Sequence, residues 1–257
     1  MAVVICLANQ KGGVTKTTTA IAIADILMQS ENKVLFVDTD PQCNSTGVYH
    51  AITEDVATLY DVLTNESSIA EAIQHTDVGD VLPCDPLLMQ ADVLLAMYPN
   101  KESLLKQALA SVRDMYDYII IDTPPSMGIL LVNALVCADG VILPAKADRF
   151  DLEGVSQVGQ TIGKVRASLN PQLKILGLLY VLVDLRTKIA QKAPEMFNQV
   201  AKDLGTIVFH TFIRNCITIP YSHAQSKRLS VYAPKSNAYK DYKKLVSEIQ
   251  KVIREGS

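Results

Sequence analysis

The sequence lacks several features that would place it in other classes of protein. It contains no uninterrupted apolar run of about 18 residues, which argues against a membrane-spanning helix. The opening residues, MAVVICLANQ, have no basic segment before the apolar run, so they predict a buried strand and not a secretion signal. The five cysteines form no C-x-x-C pair and have no histidine at metal-binding spacing, which predicts free thiols in a reducing cytosol. Internal repeats and linker-like tracts are also absent, so we expect a single domain over residues 1–257.

The net charge of −3 conceals an uneven distribution of charge. Residues 1–150 hold 8 lysines and arginines against 19 acidic residues, a balance of −11, whereas residues 151–257 hold 16 against 8, a balance of +8. A basic C-terminal part indicates a local surface that binds a polyanion. Solvated faces of surface helices would give the same count, so charge alone leaves both interpretations open.

Apolar runs alternate with helical patterns along the chain. The predicted buried strands are 2–9, 33–40, 116–123, 140–145, 173–183 and 206–213. The predicted helices are 17–30, 101–115, 153–169 and 237–257, with short helical pieces in the irregular segment 51–100. Strands separated by helices of a dozen or more residues predict an α/β fold, with a mostly parallel twisted sheet covered by helices on both faces.

The stretch Lys-Gly-Gly-x-x-Lys-Thr-Thr at residues 11–18 joins the first predicted strand to the first predicted helix. Backbone N–H groups of such a loop turn around phosphate oxygens, and the positive end of the helix points at them. Lys16 would reach the outer phosphates, and the Thr17 hydroxyl would bind Mg²⁺ directly. The usual G-x-x-x-x-G-K-[ST] pattern is not met, because Gln10 and Thr15 stand where it needs glycine. The residues match the deviant form K-G-G-x-x-K-[ST], which has an additional lysine.

With this loop, the chain resembles the ParA/Soj ATPases of the ParA/MinD superfamily nearly from end to end. KVLFVDTDPQCNST (33–46) resembles the second nucleotide motif of that family, and YDYIIIDTPPSMG (116–128) resembles its Walker B segment. The resemblance implies a single-domain P-loop NTPase that hydrolyses ATP with Mg²⁺. The family has glycine where Thr15 stands. A positive φ angle at Thr15 would therefore strain the loop and put nucleotide affinity in doubt.

The resemblance also implies roles for individual residues. Asp40 would orient or deprotonate the attacking water, whereas Asp38 and Asp122 would act on the Mg²⁺ shell through water. Segments 181–188 and 212–232 resemble the adenine-side segments of the family. The implied nucleotide contacts are Lys11, Gly12, Gly13, Val14, Thr15, Lys16, Thr17, Thr18, Asp184, Asn215 and Pro220.

The family resemblance gives the two lysines separate roles. Lys16 would bind the nucleotide of its own subunit, and Lys11 would cross to the phosphates held by a second subunit. Two ATP molecules would then be sandwiched in a homodimer whose assembly depends on the γ-phosphate. A lysine at the bridging oxygens would also stabilise charge that develops in the transition state, so Lys11, Lys16 and Asp40 are the expected catalytic residues.

The basic C-terminal part is the expected DNA-binding surface. The positions that match basic DNA-contacting residues of the family are Arg186, Arg214, Lys227, Arg228 and Lys235, followed by Lys240, Lys243 and Lys244 on the last helix. Such contacts neutralise phosphates and carry no base information, so binding to double-stranded DNA should be non-specific and sensitive to salt. We expect no N-terminal helix-turn-helix region of the kind found in longer ParA proteins, because the chain starts at the first strand.

The resemblance favours a DNA-partitioning ATPase for a plasmid or chromosome, located in the cytoplasm on the nucleoid. A ParB-like centromere-binding partner would stimulate hydrolysis, and no membrane would take part. A MinD-like membrane-positioning ATPase is the alternative, but it would need an amphipathic tail, and the last helix ends in Arg-Glu-Gly-Ser. An iron protein of the nitrogenase type would need cluster-binding cysteines, and Cys84 and Cys137 do not lie in the matching contexts. A regulator that binds nucleotide without turnover is disfavoured by Asp40.

Overall fold

Seven strands form one sheet in the computed structural model of the protein, which describes residues 1–255 without the side chain of Ile189. The strands are β1 (Val3–Leu7), β2 (Val34–Asp38), β3 (Gln74–His75), β4 (Asp80–Leu82), β5 (Tyr118–Asp122), β6 (Gly140–Ala145) and β7 (Lys174–Tyr180). Their order across the sheet is β3-β4-β2-β5-β1-β6-β7, and each neighbouring pair is parallel except β3 with β4. The predicted α/β class with a mostly parallel sheet is confirmed.

Helices cover both faces of the sheet. In chain order they are α1 (Lys16–Gln29), α2 (Asn44–Val48), α3 (Leu59–Leu63), α4 (Ile69–Ala72), α5 (Ala91–Leu94), α6 (Leu104–Ala110), α7 (Ile129–Cys137), α8 (Arg149–Ser168), α9 (Lys188–Leu204), α10 (Thr218–Ala224), α11 (Leu229–Tyr232) and α12 (Asn237–Glu255). Alternate residues of a strand point to opposite faces. Accordingly, Ile5 and Leu7 of β1 join the core formed with α1 and α12, whereas Val4 and Cys6 join the core formed with α7 and α8.

The last helix, α12, packs along α1 on one face of the sheet. Its buried residues recur at helical spacing, and they are Ala238, Tyr239, Asp241, Tyr242, Leu245, Val246 and Ile249. This is the arrangement expected of an amphipathic helix that covers a core. Residues 256–257, which the sequence prediction included in this helix, lie outside the described part of the chain.

The segment 206–213 is not the continuous strand that its apolar run predicts. Its strand-like pairing with β7 and the residues after it is limited to two isolated bridges, which pair Leu178 with Val208 and Val183 with Arg214. Between these bridges, the backbone N–H groups of His210 and Thr211 donate to the carboxylate of Glu248 on α12, at 2.7 and 3.0 Å. The carboxylate of Glu248 therefore accepts hydrogen bonds from two backbone N–H groups that would pair with a neighbouring strand if the segment were part of the sheet.

Two short strands lie in the segment that the sequence left irregular. β4 pairs with β2, and β3 folds back on β4 as an antiparallel edge. Within residues 1–255, no helix combines the length and apolar character that crossing a membrane requires. The five cysteines are all free, as their spacing predicted.

Candidate functional site

A cavity of about 550 Å³ lies where β1, β2 and β5 end and α1 begins. Parallel α/β sheets bind ligands at this edge, beyond the carboxyl ends of the strands. The predicted site residues that line the cavity are Gly12, Gly13, Thr15, Lys16, Thr17, Thr18, Asp40, Asn215 and Pro220. Its remaining lining residues, which were not among the predicted nucleotide contacts, are Gln42, Asn44, Pro125, Leu182, Ile219 and His223. Lys11, Val14 and Asp184 do not line it.

The loop before α1 has left-handed backbone at two positions. Gly13 has φ 71°, which glycine adopts freely, whereas Thr15 has φ 57° and ψ 27°. For a β-branched residue this conformation is an outlier that costs on the order of 1–3 kcal/mol. Thr15 therefore has the positive φ angle that, from the sequence, is expected to strain the loop. Between these two positions, the fully buried Val14 side chain fixes the loop to the core.

Lys16 points its ammonium into a cluster of buried acids. Its Nζ donates to the carbonyl oxygen of Lys11 at 2.9 Å, and the residue is only 6% exposed. Burial lowers the pKa of Lys16, and the charges of Asp122, Asp40 and Asp151 oppose that shift. The amine therefore lies in a dry pocket of negative charge, where an added phosphate would meet a cation that is already in place.

Asp122, at the end of β5, is the best candidate for a metal-shell ligand. Its Oδ2 accepts a hydrogen bond from the Ser45 hydroxyl at 2.7 Å, whereas its buried Oδ1 has no hydrogen-bond partner among the described residues. Burial raises the pKa of Asp122, and the nearby hydroxyls of Ser45 and Thr17 lower it. An unpaired carboxylate oxygen beside a threonine hydroxyl is a donor set that suits hydrated Mg²⁺.

Asp38 lies beside Asp122 in the sheet, but its carboxylate is already engaged. Its Oδ1 accepts from the N–H of Asp40 at 3.0 Å, and its Oδ2 accepts from both the N–H and the hydroxyl of Thr46 at 2.8 Å. Burial raises the pKa of Asp38, and the charge of Asp122 raises it further. Asp38 therefore holds the segment 40–46 in place, and its predicted action on the Mg²⁺ shell stays a prediction.

Asp40 follows β2 and faces the cavity. Its Oδ1 accepts from the N–H of Gln42 at 3.0 Å, and the residue is 8% exposed. Burial raises the pKa of Asp40, while that hydrogen bond and the charge of Lys16 lower it. A carboxylate with a raised pKa is a better proton acceptor than an exposed one, which suits a general base.

The opposite wall of the cavity is formed by the segment 215–223. Asn215 and Pro220 lie there as predicted, together with His223, whose Nε2 hydrogen-bonds with the hydroxyl of Thr18 on α1. Asp184 is instead paired with Arg186 at 2.8 Å on an exposed loop, and this contact lowers the pKa of Asp184 to about 2. Of the nucleotide contacts implied in the segments 181–188 and 212–232, Asn215 and Pro220 line the cavity and Asp184 does not. Their contact with adenine stays a prediction.

Lys11 extends away from the cavity. Its Nζ lies 5.8 Å from the centroid of the exposed Phe150 ring, at the edge of the cation–π range. It lines a separate cavity of about 320 Å³ together with Pro125 and Gly154. The two lysines of the loop thus serve different regions, with Lys16 inside the site and Lys11 on the surface.

The predicted DNA-binding residues divide into arginines that are paired with carboxylates, which are Arg186, Arg214 and Arg228, and lysines that are exposed. Arg214 forms a bidentate pair with the buried Asp241, and Arg228 donates to the buried Asp25 at 2.8 Å. These two guanidinium groups are therefore occupied in holding the fold. The exposed lysines are Lys227, Lys235, Lys240, Lys243 and Lys244.

Comparisons with known proteins agree with this geometry. A family model described as an AAA domain matches residues 2–175. The chain is 38% identical over 252 residues to the chromosome partitioning protein ParA of Myxococcus xanthus, covering 96% of this chain and 88% of that one. It is 35% identical over 254 residues to the sporulation initiation inhibitor protein Soj of Bacillus subtilis, covering 97% and 98%. A cobyrinic acid a,c-diamide synthase from Mycobacterium smegmatis, solved with ADP and magnesium, superposes with a TM-score of 0.85 at 31% identity, covering 100% of this chain and 97% of that one.

We expect Asp122→Asn to stabilise the protein in the absence of nucleotide and Mg²⁺. The raised pKa means that folded Asp122 keeps its proton to higher pH than the unfolded chain does, so its contribution to stability falls as the pH rises from about 4 towards neutral. Removing the charge should add about 1–3 kcal/mol to the free energy of unfolding at pH 7 and little at pH 4. Urea denaturation at both pH values measures this, with the exposed Asp114→Asn as control. An equal change at the two pH values would contradict the assignment.

We expect Arg228→Ala to lower the free energy of unfolding by about 2–4 kcal/mol, because it leaves the buried carboxylate of Asp25 without its partner. The adjacent Lys227→Ala should change it by less than about 0.5 kcal/mol, since that lysine is exposed. Thermal and urea denaturation of both variants provide the measurement. Similar stabilities of the two variants would show that the Arg228–Asp25 pair does not support the fold.

Proposed function

The chain belongs to the ParA/MinD superfamily of P-loop ATPases, and we propose that it is a DNA-partitioning ATPase of a plasmid or chromosome. The observation that carries the proposal is the different position of the two loop lysines. Lys16 is buried in the nucleotide cavity, and Lys11 is exposed outside it. The similarity to relatives named ParA and Soj over nearly the whole chain supports the same function.

We assign Lys11 to the nucleotide of a second copy of the chain. Because its ammonium points away from its own cavity, it is free to reach phosphates presented by a facing subunit. Two copies related by a two-fold axis would exchange these lysines and enclose two ATP molecules between them. The dimer would then form only with a bound triphosphate, since each Lys11 needs the partner's phosphate charge.

Hydrolysis would use the acids at the strand ends. Asp40 would take a proton from the attacking water. The water oxygen would bond to the γ-phosphorus as the bond from that phosphorus to the β-phosphate oxygen breaks. Lys16, and Lys11 from the facing subunit, would stabilise the charge that develops on the phosphate oxygens. Thr17 and Asp122 would hold Mg²⁺, directly and through water respectively, and the metal would supply positive charge at the phosphates when bound.

The exposed lysines of the C-terminal part would bind DNA. Lys227 adjoins the cavity wall formed by residues 215–223, because its backbone N–H donates to the carbonyl oxygen of Ser222 at 2.9 Å. Lys235 is exposed before α12, and Lys240, Lys243 and Lys244 lie on the outer side of that helix. A dimer carries this set twice, so ATP-dependent pairing would raise DNA affinity by avidity without any new contact. We propose that a ParB-like DNA-bound partner stimulates hydrolysis and thereby releases the dimer from the nucleoid.

One structural neighbour carries the name of a synthase, which is a different chemistry on the same fold. We favour partitioning because the relatives named ParA and Soj are more similar in sequence, at 38% and 35% against 31% identity. A synthase would consume ATP only with a second small-molecule substrate. Stimulation of phosphate release by DNA and partner therefore distinguishes the two functions.

Substitution of each loop lysine should separate nucleotide binding from dimerisation. We expect Lys16→Ala to lose ATP affinity by more than tenfold, because it removes the buried cation of the site. Lys11→Ala should keep ATP affinity within about threefold but remain monomeric with Mg-ATP. Asp40→Ala should accumulate as a dimer, because it binds ATP without hydrolysing it. Fluorescent-nucleotide titration and light scattering measure these outcomes. An Asp40→Ala variant that stays monomeric when saturated with Mg-ATP would contradict the sandwich dimer.

Replacing exposed lysines should weaken DNA binding in a salt-dependent way. We expect the Lys227→Ala/Lys235→Ala double variant to bind random-sequence DNA more weakly with ATP present, and to lower the slope of log affinity against log salt by up to about 2 per subunit. Lys106→Ala, an exposed lysine on α6 across the sheet, is the control and should bind like wild type. Filter binding at several salt concentrations provides the measurement. An unchanged slope in the double variant would show that DNA binds to a different surface of the protein.

A further inference from the structure

Three hydroxyl groups, of which those of Tyr242 and Thr19 are buried, connect the last helix to the phosphate loop. Tyr242 of α12 is fully buried, and its hydroxyl lies 3.1 Å from Oγ1 of Thr19 on α1, which is buried as well. Oγ1 of Thr19 lies in turn 3.5 Å from Oγ1 of Thr15. Burial raises the pKa of Tyr242 to about 12, so its phenol keeps the proton that a hydroxyl chain requires. These contacts span 227 positions of the sequence and end beside the nucleotide cavity.

This series of hydroxyl groups ends at Thr15, the residue of the loop with the least favourable backbone conformation. Thr15 has φ 57°, and a side chain persists in that conformation only when its surroundings hold it there. Its hydroxyl is the one polar group of the side chain, and the hydroxyls of Thr19 and Tyr242 both interact with it. Thr15 also directly precedes α1, so its backbone sets the direction of the loop N–H groups that face the cavity.

We propose that Tyr242 is a positioning residue for the phosphate loop. Its hydroxyl, together with that of Thr19, holds the Thr15 side chain, and the held side chain keeps the backbone at Thr15 left-handed and the loop aimed at the nucleotide. The chain can therefore carry threonine at this position without losing the shape of the loop. The proposal rests on ATP binding at this loop, one part of the proposed function, and does not depend on DNA transport.

A second tyrosine of α12 separates positioning from simple packing. The hydroxyl of Tyr239 donates to Oε1 of Gln29 at 2.8 Å, at the opposite end of α1. Both rings are buried between α12 and α1, and both hydroxyls bond to α1. Only Tyr242 contacts the end of α1 that adjoins the loop, so Tyr239→Phe is a matched control for Tyr242→Phe.

The test is the ATP affinity of these variants without DNA or partner, measured by fluorescent-nucleotide titration with Mg²⁺. We expect Tyr242→Phe to bind ATP about three- to tenfold more weakly than wild type, since one buried hydrogen bond is lost. Tyr239→Phe should change the affinity less than twofold, while both variants lower the melting temperature to a similar extent. Thr19→Val, which interrupts the same hydroxyl chain, should reproduce the loss and serves in its place if Tyr242→Phe does not fold.

A glycine at position 15 provides the decisive comparison. Glycine adopts positive φ without help, so in a Thr15→Gly background the further change Tyr242→Phe should alter ATP affinity less than twofold. An undiminished effect of Tyr242→Phe in that background would overturn the proposal, as would equal affinities of wild type and Tyr242→Phe. Absence of ATP binding by the wild type would overturn the proposed function and this inference together, so the two failures are distinguishable.

Discussion

The buried ammonium of Lys16 is the charge on which the site depends. Parallel strands end at one edge of the sheet, and here that edge collects Asp38, Asp40 and Asp122 in a region shielded from water. Lys16 lies among these acids, fixed by the carbonyl of Lys11, and its charge lowers the pKa of Asp40 and of Asp122 against the effect of burial. Under the proposed function, the same arrangement would accept a phosphate on the lysine side and a hydrated cation on the carboxylate side. The strongly acidic N-terminal half is thus compatible with a ligand that is itself an anion.

The sequence predicts those parts of the fold and site that are continuous along the chain. Buried parallel strands read as unbroken apolar runs, so β6 is predicted at its observed bounds and β1, β2, β5 and β7 within three residues at each end. The segment 206–213 is also an apolar run, but it does not form a continuous strand. The N–H groups of His210 and Thr211 donate instead to the carboxylate of Glu248, which lies 38 and 37 positions away in the sequence. His223 was missed for a similar reason, because its role depends on Thr18, 205 positions distant. A pattern within one segment carries no information about such contacts.

Charge counting from the sequence has the same limit. Arg214 and Arg228 match basic positions of the family, yet the fold gives each of them a buried carboxylate, from Asp241 and Asp25. Nothing near either arginine in the sequence reveals its partner. A guanidinium bound in this way costs several kcal/mol to detach, so it is a poor phosphate ligand. Under the proposed function, lysines would therefore make the contacts to DNA, and their flexible side chains suit contacts that do not read sequence.

Helix α12 carries both the tyrosine that contacts the phosphate loop and three of the lysines that are proposed to bind DNA. Its inner side carries Tyr242, which reaches the phosphate loop through Thr19, and its outer side carries Lys240, Lys243 and Lys244. A shift of the helix that favours DNA contact would also change the hydroxyl chain that holds Thr15. Because linkage is reciprocal, DNA bound at these lysines must then change ATP affinity by the same factor as ATP changes DNA affinity. Under the proposed function, communication between ATP and DNA would need no moving domain, since one helix would touch both proposed binding surfaces.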